Sequence, residues 1–81
     1  MSMDDVKRSW ANYIMLGPTC KNIWIKGTLM AGEYGITCLE LERITQRKHQ
    51  SLSALQKTLV DEGYMIPSGY WRENYQAYIA A

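Results

Sequence analysis

The sequence contains no phenylalanine, one histidine, two cysteines and two prolines among 81 residues. Each scarcity narrows what the chain can do. A lone histidine, with no glycine-rich phosphate loop and no distinct carboxylate pair, supplies nothing from which an active site assembles, so no enzyme activity is expected. Cys20 and Cys38 form neither a CxxC pair nor a metal-ligand spacing. Two free thiols are expected, with no metal and no cofactor, as suits a reducing cytoplasm. A disulfide between them would need the fold to bring them together. Long apolar runs are also missing, and "NIWIKGTLMA" is too short and too interrupted to span a membrane. Asp4 and Asp5 stand where a secretory leader would be basic. Charge of either sign is in little excess, with a formal net charge of +1. Proteins that hold phosphates are often far more basic, so any nucleic-acid contact here must be concentrated on one face.

What remains is the composition of a small folded domain, 47% hydrophobic and 21% charged. A core of this size is marginal, so tight packing or self-association would help it. Six tyrosines and three tryptophans replace phenylalanine as bulky packing groups, and both residue types also anchor interfaces.

Residues 1–17 read as a helix. Ser2 is placed to cap it, Asp4 and Asp5 fall in its first turn where the helix dipole favours acids, and Gly17–Pro18 stops it. Val6, Trp10, Tyr13 and Ile14 share one face. Residues 21–31 fit two patterns: Ile23 and Ile25 alternate as in a strand, whereas Ile25 and Leu29 suit a helix capped by Thr19. The helix is favoured. Gly32 and Gly35 mark a loop. Thr37 and Glu40 make a capping box, after which Cys38, Leu41 and Ile44 line one face of a short helix. A brief turn at "TQRK" leads to a further helix with Leu52, Leu55 and Leu59 inward, ended by Gly63. "YMI" then reads as a strand closed by Pro67, "PSG" as a turn signal, "YWREN" as a hairpin loop and "YQAYIA" as the return strand. The expected fold is therefore mainly α with a C-terminal β-hairpin. In it a winged helix-turn-helix, residues 36–63 followed by the wing at 64–80, is preceded by an extra N-terminal helix in one domain spanning 1–81.

The stretch "TCLELERITQRKHQSLSALQKTLVDEGYM" also resembles the small winged helix-turn-helix proteins common in bacteriophage genomes. The pattern is carried by Thr37, Glu40, Leu41, Lys48, His49, Gln50, Ser51, Ser53, Ala54, Leu59, Gly63 and Met65. Ser68, Gly69, Arg72 and the strand around 77–79 fit its hairpin. The likeness covers roughly residues 36–79. Gln46 stands where such proteins usually carry a turn glycine, and the wing is poor in basic residues, with Arg72 next to Glu73. The resemblance implies a small DNA-binding transcriptional regulator at work in the cytoplasm of a bacterial host.

In a helix-turn-helix the second helix enters the major groove. With the leucines inward, its outward face presents Gln50, Ser51, Ser53, Ala54 and Lys57. Glutamine can pair bidentately with adenine, serine with either base edge, and alanine with a thymine methyl. Arg43, Arg47 and Lys48 flank this face and suit phosphate, with Arg72 on the wing. His49 fits a capping or surface role as well as base reading. Between Thr37 and Val60 four bases face two acids, a local excess of two. Three or four phosphate contacts per monomer imply a salt slope of about −3 to −4. The rival reading is a protein-binding winged helix, an adaptor or inhibitor of a host protein, because the hairpin holds Tyr64, Tyr70, Trp71, Tyr75 and Tyr78 but one arginine. Tyr70 and Trp71 are its interface candidates. Trp10 and Tyr13 on the first helix are candidates for a homodimer contact.

Overall fold

In a computed structural model, residues 3–81 are described, and Ser2, the expected cap of the first helix, lies outside them. Helix α1 spans Met3–Ile14, with Asp4 and Asp5 in its first turn. Trp10 is buried, and Val6, Tyr13 and Ile14 pack against the core beside it. The chain turns out of α1 through Gly17, whose φ of 67° is the left-handed conformation that glycine adopts without a steric penalty.

Helix α2 spans Cys20–Met30, which resolves the ambiguity at residues 21–31 in favour of helix. The Thr19 hydroxyl accepts the Asn22 N–H at 3.2 Å. Ile23, Trp24, Gly27 and Thr28 are buried. Gly27 lets α2 approach the next helix: a β-carbon there would lie 2.8 Å from Leu41 Cδ2.

Helix α3 spans Cys38–Thr45, and its capping box is complete. Thr37 Oγ1 accepts the Glu40 N–H at 3.2 Å, and Glu40 Oε1 accepts the Thr37 N–H at 2.9 Å. Cys38, Leu41 and Thr45 are buried. The expected inward Ile44 is instead 40% exposed, because a helix turned by 3.6 residues brings Thr45, seven after Cys38, to the buried side. Gln46 ends the helix in the left-handed conformation, φ 57°, and donates its N–H to Glu42 O.

The expected single helix after the turn is two. Helix α4 spans His49–Ser53 and α5 spans Gln56–Asp61, separated by Ala54 and Leu55. The Leu52 carbonyl, which in an unbroken helix would accept from Gln56, accepts the Trp24 indole N–H at 2.8 Å and the Leu55 N–H at 3.2 Å. Leu52 and Leu59 are fully buried and Leu55 partly so.

The hairpin turn falls at the end of the expected loop "YWREN", but the first strand is longer than expected. Strand β1 runs Met65–Arg72 straight through Pro67 and Gly69, and β2 runs Tyr75–Ala80 antiparallel to it. Pro67 is tolerated because β1 is an edge strand. The register slips between Pro67 and Trp71, so "PSG" lies at a bulge and does not form the turn. Glu73 and Asn74 make the turn, with φ of 52° and 70°. Two successive positive φ values define the type I′ geometry that suits the twist of a two-residue hairpin. Ile36 pairs with Tyr78, each N–H bonding the other's carbonyl at 2.9 Å, which ties the loop before α3 to β2. The fold is thus mainly helical with a C-terminal antiparallel hairpin. Its core is Trp10, Ile23, Trp24, Leu41, Leu52, Leu59 and Met65 with their neighbours. No helix among the described residues is long and apolar enough to cross a membrane.

Candidate nucleic-acid interface

Residues 46–48 join α3 to α4, and Leu52 fixes how α4 sits. Its side chain is buried and its carbonyl is held by Trp24. The opposite side of α4 is consequently outward. Lys48, Gln50, Ser51, Ala54 and Lys57 are exposed, while Arg47 and Ser53 are half-buried. The turn is braced from within, since the buried Thr45 hydroxyl donates to Leu41 O at 2.6 Å and accepts the Arg47 N–H at 3.3 Å.

Ion pairs sort the positive groups. Arg43 meets Glu73 at 3.1 Å across an exposed gap between α3 and the hairpin turn. Lys21 meets Glu62 at 3.7 Å. Lys26 lies over the rings of Trp10 and Tyr13 and bonds the Ser9 hydroxyl. Arg47, Lys48 and Lys57 carry no salt bridge among the described residues, so three free cations lie along the turn and α4–α5, and two others, Lys7 and Arg8, stand on α1.

Besides Arg43, two candidates for DNA contact have other work. Arg72 does not reach outward. Its Nε and Nη2 grip both oxygens of Glu40 at 3.1 and 2.7 Å, while Nη1 and Nη2 donate to the carbonyls of Tyr34 and Gly35. The guanidinium therefore pins the hairpin to the capping box of α3. Burial favours the neutral form of Glu40, but the Arg72 guanidinium and the Thr37 N–H outweigh it and hold the carboxyl below the usual range. Hydrogen bonding to Glu40 in turn raises Arg72. His49 is likewise tethered. Its Nδ1 lies 2.5 Å from Glu42 Oε2, and its ring stands edge-on to Tyr75. It faces α3, which leaves its free edge alone for base reading.

The same tether completes a cluster that the cysteine spacing did not reveal. Cys38 Sγ is 3.8 Å from both Glu42 Oε2 and His49 Nδ1. Cys38 and Glu42 lie one turn apart on α3, and a histidine opens the next helix after a three-residue turn. That pattern was the available signal. Burial first, then the adjacent Glu42 carboxylate, pushes the Cys38 thiol up to about 12.

The proposed interface residues divide. Trp10 is 3% exposed, so it is core and not a dimer contact. Tyr13 is half-buried against it, with ring centroids 6.1 Å apart. Tyr75 and Tyr78 turn inward, onto His49 and Trp24. Tyr70 and Trp71 do face outward, Trp71 being 64% exposed, and Tyr70 stacks edge-on with Tyr34 at 4.8 Å. A shallow apolar groove of about 420 Å³ lies between α1 and α3, lined by Val6, Trp10, Ala11, Arg43 and Ile44 among others. Comparison with protein-family models, with curated proteins and with solved structures finds no match.

Proposed function

We propose that the chain is a small sequence-reading DNA-binding protein, a regulator of the bacteriophage winged helix-turn-helix type. In this reading α3 and α4 are the helix-turn-helix, α4 enters the major groove and the hairpin is the wing. One observation carries it. The face of Lys48, Gln50, Ser51, Ala54 and Lys57 is exposed, while its opposite side is locked by Leu52. A rigid outward face of amide, hydroxyl and ammonium groups is what base and phosphate contacts need. Gln50 would meet adenine edges, Ser51 and Ser53 either base, and Ala54 a thymine methyl. Arg47, Lys48 and Lys57 would hold phosphates. With Arg43 and Arg72 engaged elsewhere, the phosphate contacts fall to three, and the salt slope to about −3 per monomer. The wing acts as a strut through Arg72 instead of gripping the backbone. Two copies on paired half-sites would double the slope. This work belongs in the cytoplasm of a bacterial host.

A specific observation favours a second reading. Tyr34 and Tyr70 pair edge-on, and both they and Trp71 are exposed on the loop and hairpin; exposed aromatic groups suit a protein contact. The wing would then recruit or inhibit a host protein.

Fluorescence anisotropy with a pool of duplex DNA at low salt tests the first reading. Wild type should bind, and Lys48→Glu/Gln50→Ala should bind at least about tenfold more weakly. No binding at low salt, or equal binding by the variant, would contradict it. Capture from a nuclease-treated bacterial lysate tests the second: a stoichiometric partner lost on Trp71→Ala supports a protein-binding wing.

A further inference from the structure

We propose that Cys38, Glu42 and His49 form a binding site for a thiophilic divalent ion such as Zn2+, bridging α3 and α4. Sγ, Oε2 and Nδ1 lie within 4.8 Å of one another, and together they are a soft sulfur, an imidazole nitrogen and a carboxylate oxygen, the donor set that zinc takes. A tetrahedral ion with ordinary zinc bond lengths needs sulfur about 3.6 Å from each of the other donors and the nitrogen about 3.3 Å from the oxygen. The two sulfur distances, both 3.8 Å, already approach this. The Nδ1–Oε2 distance of 2.5 Å is that of a hydrogen bond, so an ion replaces that bond and opens the pair by less than the length of a covalent bond. His49 carries out this movement at low cost, because its side chain is 43% exposed and it opens a short helix.

The fixed half of the site is well determined. Cys38 is 1% exposed, and its one-turn spacing to Glu42 is set by a capped helix. Solvent would supply the fourth ligand on the exposed side. On binding, the thiol releases its proton to water and the imidazole carries its hydrogen on Nε2, so uptake of the ion releases the thiol proton. A buried thiol beside a carboxylate does not ionise near neutrality unaided, and a divalent ion reverses that balance. The occupied site would lock the turn at 46–48 and fix the angle between α3 and α4, which is a metal-dependent control on the outward face of α4. The site itself does not depend on what that face binds.

Titration of the reduced full chain with Co2+, followed by absorbance, tests the proposal without any DNA. Wild type should develop a thiolate-to-cobalt charge-transfer band and tetrahedral ligand-field bands, saturating at one ion per chain and bleached by Zn2+. Cys20→Ser should behave as wild type. Cys38→Ser should lose the charge-transfer band. His49→Ala and Glu42→Gln, which leave the core intact, should each weaken Co2+ binding at least about tenfold. Absence of the band in wild type would overturn the site and leave the cluster as a hydrogen-bonded network. So would its loss in Cys20→Ser, or unchanged affinity in both His49→Ala and Glu42→Gln, even if Cys38→Ser does not fold.

Discussion

Trp24 donates its indole N–H to the Leu52 carbonyl over 2.8 Å, between two side chains that are both fully buried. This bond joins the middle of α2 to the C-terminal end of α4, interrupts the helix after Ser53 and sets the outward direction of Gln50 and Ser51. Trp24→Phe keeps an aromatic ring but leaves the Leu52 carbonyl without its donor. We expect a loss of about 2–4 kcal/mol, combining an unsatisfied buried carbonyl with lost volume. Urea unfolding measures it. A change within a few tenths of wild type would mean that the bond does not organise α4.

Gln46 holds a left-handed conformation that costs a non-glycine residue about 1–2 kcal/mol. Gln46→Gly relieves this strain while adding freedom to the unfolded chain. A net gain of about 0.5–1 kcal/mol is expected. Thermal unfolding should show a higher midpoint, and a lower one would contradict the account of the turn.

Gly35 has φ 76°, and a β-carbon there would lie 2.7 Å from the Tyr78 carbonyl oxygen. That neighbour is backbone held by Ile36, so it cannot yield cheaply. Gly35→Ala should cost about 2–4 kcal/mol, from left-handed strain plus the clash. Denaturant unfolding distinguishes this from the near-neutral result expected of an open loop glycine.

The Arg72–Glu40 pair predicts both a pH dependence and an absence of effect on DNA. The Glu40 carboxyl is depressed in the folded state, so its contribution is complete above the unfolded value, about pH 4.3, and is lost as pH falls through the folded value. Wild-type stability should decline over that acidic window, and Arg72→Ala should flatten the decline. Both partners are 36% exposed, so solvent discounts the pair. Arg72→Ala should cost about 1 kcal/mol at neutral pH, including the lost bonds to Tyr34 and Gly35. It should leave the salt slope of DNA binding unchanged. A slope reduced by about one would return Arg72 to the phosphate contacts.

Local signals in the sequence carried furthest. The Thr37–Glu40 box, the Thr19 cap and the terminal glycines act within a few residues, so the helix starts, the order of elements and the C-terminal hairpin were legible. Errors arose where a partner is distant. Arg72 looked like a free cation because Glu40 lies 32 residues away. Trp24 breaks a helix 28 residues further on. Trp10 looked like an interface anchor, although α3 and α2 cover it. The turn at Glu73–Asn74 falls inside the expected loop "YWREN", but the first strand was closed too early, at Pro67, because "PSG" has the composition of a turn. The Cys38–Glu42–His49 cluster is hidden in the sequence because it holds one cysteine and its histidine lies on the next helix, beyond a turn.

The most direct measurement of the DNA-reading claim is the salt dependence of duplex binding, compared between wild type and Lys48→Glu. Binding should be measurable at low salt with a log–log slope of about −3 per monomer, made shallower by at least about one in the variant. Binding absent at low salt, or a slope that the variant leaves unchanged, would contradict that claim.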